Sequence, residues 1–311
     1  MSRIVALHLG LVALLLALNF LLPAYTHGNI ARIMVLAVYA IGYNIAFGYT
    51  GLLSLGHAMF FAAGMYGTGL ILRFSELSAL PAWGVGLACG AGLALAVGLL
   101  ALRTAGVAFM IVTLMFSQAV YLIILYFGAF TRGDEGFVIE AADRMIWGLD
   151  LGQPQVRYLA AWALFSVVLL ISLRLVRRPA GRVFVAIREN ELRARLLGYD
   201  TFRYKLLALV ISGTISAASG GAYALLFGYA GASFATVQYS IFPLLWVLLG
   251  GAGTVLGPFL GTLFMFYLID IASGLTEAYM LIAGLALIGL TLFAPQGIAG
   301  VIRARLWKDL P

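Results

Sequence analysis

Long apolar stretches broken by short polar ones dominate the chain. Runs of spanning length cover Ile4–Leu22, Ile30–Phe47, Gly51–Leu72, Ala82–Leu102, Gly106–Phe130, Tyr158–Val176, Leu206–Tyr229, Ser240–Gly257, Pro258–Ile271 and Ala278–Phe293. A helix needs about 20 apolar residues to cross a bilayer, so these predict about ten transmembrane helices. A β-barrel would show strands of about 10 residues alternating apolar with polar, whereas Ala82–Leu102 and Leu206–Tyr229 are continuous. The expected fold is an all-α polytopic membrane bundle forming one domain over residues 1–311. The first run is read as a retained helix, because it exceeds a signal-peptide core and no small-residue cleavage site precedes Pro23. Ser240–Gly257 is ambiguous: Gly250, Gly251, Gly253 and Gly257 fit a re-entrant segment as well as a span.

Small residues at every fourth position let helix backbones approach closely where no hydrophobic effect drives association. Gly86, Gly90, Ala94 and Gly98 form one stripe, Ser212, Ser216, Gly220, Ala224 and Gly228 a second, and Gly253, Gly257 and Gly261 a third.

Composition agrees with a membrane solvent. Charged side chains make up 10% of the 311 residues, against roughly 25% in soluble proteins. Where the charges fall sets the orientation. With the N-terminus inside, inner segments hold 14 of the 19 basic residues and 4 of the 12 acidic ones, a net of +10, and outer segments carry 5 basic and 8 acidic. The positive-inside rule then places both termini in the cytoplasm. The overall +7 therefore gives no argument for nucleic acid as a partner, and the single Cys89 forms no intrachain disulfide.

Three segments depart from the apolar background. The inner segment Arg174–Lys205 has nine basic and three acidic residues. Its stretch 182–197 has helix-favouring composition with Glu189/Arg193 and Glu191/Arg195 at i,i+4; Gly198 supplies a stop and Asp200 or Thr201 a cap for the next helix. A folded, capped, salt-bridged unit reads as a docking element, with a basic membrane-surface helix as the plainer alternative. The second segment, Gly48–His57, places three glycines and polar Tyr49, Thr50, Ser54 and His57 inside an apolar region. Irregular backbone at membrane depth is tolerated only when it is buried in protein or lines a wet cavity. It is therefore either a packing face or part of a path, and Asn44, Ser54, His57 and Gln118 are the candidate path residues. The third is the loop 131–157, with three basic and five acidic residues, either a solvated loop or a docking surface. Carboxylates are absent from mid-span, which argues against an ion-coupled carrier. No P-loop or metal-ligand cluster occurs, so neither an enzyme nor a resident cofactor is expected.

The run 181–205 resembles the cytoplasmic loop of branched-chain amino-acid ABC importer permeases, the M-type subunit of the H/M pair. Gly51–Phe61, Gly250–Pro258 and Phe293–Gly300 agree, and the similarity extends over about residues 30–305. Ala194 with Gly198 is similar to the end of the importer coupling motif, although Leu192-Arg193 stands where that motif opens with Glu-Ala. The resemblance implies an ABC-importer permease bundle in a bacterial inner membrane, with 177–205 as cytoplasmic coupling loop and 131–157 as extracytoplasmic loop. It implies two ATP-binding subunits that hydrolyse the ATP, a sister permease completing a heterodimer, and a periplasmic solute-binding protein. Arg182, Arg188, Glu189, Asn190, Glu191, Ala194 and Gly198 are the expected ATPase-coupling residues. Arg132, Asp134 and Glu135 depart from the family's Thr-Gly-Gly-rich sequence in the outer loop, which leaves the solute open among amino acids, urea, amides and aromatic acids. A stand-alone carrier or facilitator for a small polar solute is the competing reading.

Overall fold

The computed structural model describes residues 3–278, 281–282, 284–285, 288–289, 292 and 296–306. The helices in chain order are α1 (Arg3–Leu18), α2 (Ala24–Asn44), α3 (Ala58–Phe74), α4 (Ala79–Ala101), α5 (Val107–Tyr126), the single turn α6 (Gly128–Thr131), α7 (Pro154–Arg177), α8 (Pro179–Glu189), α9 (Glu191–Leu196), α10 (Thr201–Phe227), α11 (Val237–Gly250), α12 (Gly257–Leu275) and α13 (Gly297–Leu306). Two-residue strands β1 (Phe137–Val138) and β4 (Tyr229–Ala230) pair antiparallel, as do β2 (Met145–Ile146) and β3 (Leu149–Asp150). Proline opens α7, α8 and α12 at the first helical turn, where its missing N–H costs no hydrogen bond.

Among the described residues, six helices are long and apolar enough to cross a membrane: Ala24–Tyr49, Ala79–Ala101, Val107–Tyr126, Pro154–Arg177, Thr201–Phe227 and Gly257–Leu275. Three shorter apolar helices, Val5–Leu18, Ala58–Phe74 and Val237–Gly250, accompany them. The chain is a multi-pass membrane protein. Two of the expected runs are not continuous helix. In Gly51–Leu72 the helix begins only at Ala58, because the glycine-rich 51–57 leaves helical geometry. Ser240–Gly257 overlaps a 14-residue helix that begins at Val237 and ends at Gly250, about 21 Å long against a hydrocarbon core of about 30 Å. Half of the expected span Ala278–Phe293 lies outside the described residues, as do Lys308 and Asp309.

Helix α2 is the axis of the bundle. From Ile33 to Tyr43 it is apolar all round and buried, and it packs against α7, α10, α11 and α12. A five-residue π-turn, Ile45–Tyr49, extends it. The predicted small-residue stripes are the seams. A Cβ on Gly220 would sit 1.9 Å from the Phe61 carbonyl oxygen, and one on Gly64 2.0 Å from that of Ala217, so α3 and α10 touch backbone to backbone. Gly90 of α4 faces Ala217, and Gly261 of α12 faces the Trp246 carbonyl of α11. Gly253 departs from its stripe and faces Gly48 and Arg188 instead.

At one end of the bundle lie 48–53, 104–106, α8, α9 and the α11–α12 turn, drawn together around Arg188. At the other, Arg73 donates to the Phe130 carbonyl, β1 pairs with β4, and Arg144 donates to the Leu225 carbonyl.

These seams predict that Gly64→Ala or Gly220→Ala destabilises the purified protein by about 1–3 kcal/mol, the cost of overpacking. Gly92→Ala, where a Cβ meets nothing within 4 Å, serves as the neutral control. Thermal unfolding in detergent measures all three.

Candidate functional site

Two interruptions of helical backbone meet in the interior. From one end, residues 50–57 follow an irregular path outside the helix until α3 starts at Ala58. From the other, β4 and the 3₁₀ turn Ala232–Ala235 lead to the start of α11 at Val237. The two helix N-termini are joined where the Ala58 N–H donates to Ser240 Oγ at 2.9 Å.

Some backbone groups freed by these breaks pair locally, as the Leu52 N–H does with the Ala46 carbonyl at 2.8 Å; others find their partner in a side chain. The Tyr43 hydroxyl donates to the Ser54 carbonyl at 3.0 Å, and the Leu55 N–H donates to Thr113 Oγ1 at 3.2 Å. Pro243 inside α11 provides no N–H for the Tyr239 carbonyl four residues earlier; the Tyr39 hydroxyl donates to it at 3.2 Å. His57 Nε2 lies 2.7 Å from Ser212 Oγ, and Ser212 spends its single hydroxyl proton on the Gly42 carbonyl. His57 must then donate from Nε2, leaving its buried Nδ1 an acceptor without a partner among the described residues. Above this layer Phe61, Tyr223, Phe234 and Tyr239 pack ring on ring with centroids 4.9–6.1 Å apart.

Of the four candidate path residues, the structure brings three into this region. Asn44 accepts from the Gly253 N–H at 3.0 Å and donates to the Thr254 carbonyl at 2.9 Å. Ser54 and His57 are fully buried. All three hold irregular backbone together here, which is the packing alternative of the sequence reading. Gln118 stands apart on the exposed face of α5, beside Met115 and Leu122. Sequence reasoning missed Tyr43, Ser212 and Ser240; the available signal was isolated hydroxyls in otherwise apolar helices.

The charged unit at one end of the bundle is two helices, not the single helix expected over 182–197. Asn190, in extended conformation at φ −161°, ends α8 and caps α9 by accepting from the Arg193 N–H at 2.8 Å. The break takes Glu189 and Arg193 out of register, and Glu189 pairs with Arg188 at 2.9 Å instead. The expected Glu191–Arg195 pair forms at 3.3 Å. Glu191 also accepts from Lys205 at 2.8 Å and from Thr201 at 3.2 Å, clasping α9 to the start of α10. Burial alone would push the Glu191 carboxyl up, but the Lys205 and Thr201 hydrogen bonds and the Arg195 charge outweigh it and hold the pKa below its ordinary value. Asp200, not Thr201, caps α10, accepting from the Arg203 N–H at 3.1 Å. Gly198 closes α9 at φ +90°, a left-handed backbone that favours glycine.

The seven expected coupling residues therefore divide. Ala194 is buried in a small core with Val183 and Ile187. Asn190, Glu191 and Gly198 shape the unit, while Arg182 and Glu189 face solvent. Arg188 turns back toward the bundle and donates to the Gly48 carbonyl. The apolar tip of α9 was not foreseen: Leu192, Leu196 and Leu197 are 65%, 80% and 70% exposed.

At the opposite end, a cleft of about 580 Å³ is lined by Arg73, Arg132, Glu135, Phe137, Glu140 and Asp143 among others. Arg132 adopts φ +62°, a left-handed conformation that costs a non-glycine residue about 1–2 kcal/mol.

Ser212→Ala should strand the His57 Nε2 proton and lower stability by about 1–3 kcal/mol in thermal unfolding. Glu191→Gln should lower the melting temperature at pH 7. Because the Glu191 pKa is depressed on folding, its stabilisation is present above the ordinary value of 4.5 and lost as pH falls through the lower folded value. The difference between variant and parent should therefore shrink as the melts are moved below that pH.

Residues 26–294 match the family described as "Branched-chain amino acid transport system / permease component". The high-affinity branched-chain amino acid transport system permease protein LivM of Escherichia coli (strain K12) is 28% identical over 96% of this chain and 75% of its own length. LivM of Salmonella typhimurium is 28% identical over 88% of this chain and 69% of its own. The autoinducer 2 import system permease protein LsrC of Photorhabdus laumondii is 30% identical over 42% of each chain. No solved structure matches the chain at a significant level. With the match extending over both backbone breaks and the α8–α9 unit, the chain belongs to the permease components of branched-chain amino acid transport systems.

Proposed function

We propose that this chain is one of two permease subunits of an ABC importer that moves a branched-chain amino acid or a related small solute inward across a bacterial inner membrane. Separate ATP-binding subunits, two per importer, hydrolyse the ATP; a sister permease completes a heterodimer, and a periplasmic solute-binding protein delivers the solute. Both termini and the 177–205 loop lie in the cytoplasm, and 131–157 lies outside. About ten segments cross the membrane, the short helices α3 and α11 completing their crossings with the non-helical stretches that precede them. The charge distribution supports this orientation, because the end of the bundle carrying α8 and α9 holds the basic excess.

The observation that carries the reading is the apolar tip of α9. Leu192, Leu196 and Leu197 project from a unit that the Glu191 clasp and the Asn190 and Asp200 caps hold rigid. Three leucines exposed beside Arg193 and Arg195 have the character of a knob that fits an apolar groove on a partner, with the arginines at its rim. Gln118 supports the sister subunit. A carboxamide on the lipid-facing side of α5 would leave four hydrogen-bonding positions unmet, so this face is better matched to a protein partner or a wet path between two permeases. Asn44, Ser54 and His57 belong to the same path, closed in this conformation.

Replacing Leu196 and Leu197 together with Glu should reduce co-purification of the ATP-binding subunits at least tenfold and abolish solute uptake, with the permease still inserted in the membrane. Wild-type co-purification in that double variant would overturn the docking role.

A further inference from the structure

We infer that Arg188 is a positioning residue that links the α8–α9 unit mechanically to the two backbone breaks inside the bundle. The inference rests on α8–α9 being the element that the ATP-binding subunits grip. Arg188 sits in the last turn of α8, and its guanidinium divides between two partners. Nη1 donates to the Gly48 carbonyl at the end of the π-turn, and Nη2 donates to Glu189 Oε1 at 2.9 Å. Gly48 lies just before the point where the chain leaves helical geometry on its way to α3.

The space around the guanidinium exists because three residues there have no side chain. A Cβ on Gly253 would sit 2.7 Å from Arg188 Nη1 and 3.0 Å from the Gly48 oxygen. One on Gly51 would sit 3.1 Å from Arg188 Cγ, and one on Gly48 would sit 2.5 Å from the Gly253 N–H nitrogen. Gly51 and Gly253 also hold φ of +76° and +75°. One helical turn deeper, Asn44 ties α2 to Gly253 and Thr254. One cation therefore rests against both the end of α2 and the α11–α12 turn. From that turn α11 runs back to Ser240, which holds the Ala58 N–H at the second break. A displacement of Arg188 acts on both segments at once, and α11 carries it to mid-depth. A cavity of about 190 Å³ lined by Thr50, Gly51, Thr104, Gly106, Arg188 and Lys205 gives the junction room to move.

An arginine suits this position because its planar fork serves two acceptors in fixed directions, whereas a lysine ammonium is a single point donor. Arg188 is therefore a link between the docking unit and the membrane core and lies outside the apolar surface that meets the partner.

The test uses the whole importer in proteoliposomes: both permeases, the ATP-binding subunits and the solute-binding protein. Co-purification, ATP hydrolysis and solute taken up per ATP are measured for the parent, Arg188→Ala, Arg188→Lys, Gly253→Ala and the Leu196/Leu197 double variant. Arg188→Ala is expected to keep its ATP-binding subunits, with hydrolysis continuing, while uptake per ATP falls at least tenfold. Arg188→Lys should recover part of the ratio. Gly253→Ala, with the arginine intact, should fall in the same direction because its Cβ displaces the guanidinium. Uptake per ATP within twofold of the parent in Arg188→Ala would overturn the link. Loss of the ATP-binding subunits from Arg188→Ala would also overturn it, by making Arg188 a docking residue. If Arg188→Ala does not reach the membrane, Arg188→Lys and Gly253→Ala decide by the same ratio. Failure of the docking reading would show separately, as unchanged co-purification in the leucine variant.

Discussion

A hydrocarbon interior offers no hydrogen-bonding partner to an unpaired backbone group, and this one constraint governs the arrangement at the centre of the molecule. Continuous helices satisfy it by themselves. The segments 50–57 and 231–236 do so only in part, so further partners must be brought from elsewhere. Tyr39, Tyr43, Thr113 and Ser240 each supply a hydroxyl to a backbone group at or beside the breaks, while Ser212 couples His57 to the Gly42 carbonyl. Those hydroxyls, some donating and some accepting, lie on α2, α5, α10 and α11, so four helices must be held at hydrogen-bonding distance from the breaks. The small-residue seams follow from that need. Without close approach at Gly64 and Gly220, α3 and α10 would stand too far apart for Ser212 to reach both His57 and Gly42.

The polar groups that hold the breaks are few, and apart from His57 Nδ1 they are already engaged. The one hydroxyl proton of Ser212 is spent on Gly42, the carbonyl of Ser54 takes the proton of Tyr43, and both functions of the Asn44 amide are paired with the α11–α12 turn. A structural bond at each site excludes a solute from it unless the helices shift. On the proposed path role, the same residues hold the closed form together and become available to a solute only when α3 and α11 separate.

Much of this architecture was legible in the sequence. Six of the ten apolar runs overlap helices long enough to cross a membrane, and the stripes through Gly86–Gly98 and Ser212–Gly220 marked real seams, because sterics at a four-residue period depend on little besides the residues themselves. Hydropathy could not separate helical from irregular apolar backbone within Gly51–Leu72 and Ser240–Gly257; the signal of a break lay in the glycines and polar residues of 48–57 and in Gly250, Gly251, Gly253 and Gly257. The break at Asn190 was hidden by strongly helix-favouring neighbours; its capping bond to Arg193 depends on a conformation that composition does not encode. The direction of Arg188 was equally invisible. An arginine in a basic loop looks the same whether it faces a partner or its own bundle, and only the proximity of Gly48, Gly51 and Gly253 distinguishes the two.

That proximity also explains why glycine recurs at this end of the molecule. Gly48 and Gly253 approach so closely that a side chain on either would strike the other's backbone or the Arg188 guanidinium. At Gly198, by contrast, an added Cβ would meet nothing within 4 Å, and glycine is required only by the backbone angle. The first pair is constrained by a neighbour that belongs to the charged unit, the second position by the local turn alone. Strain at Gly198 would alter the shape of the unit and leave its attachment to the bundle intact, whereas a side chain at Gly253 would alter the attachment and leave the unit's own clasp, Glu191 with Lys205, undisturbed. Shape and attachment are thus carried by different residues, and either can change without the other.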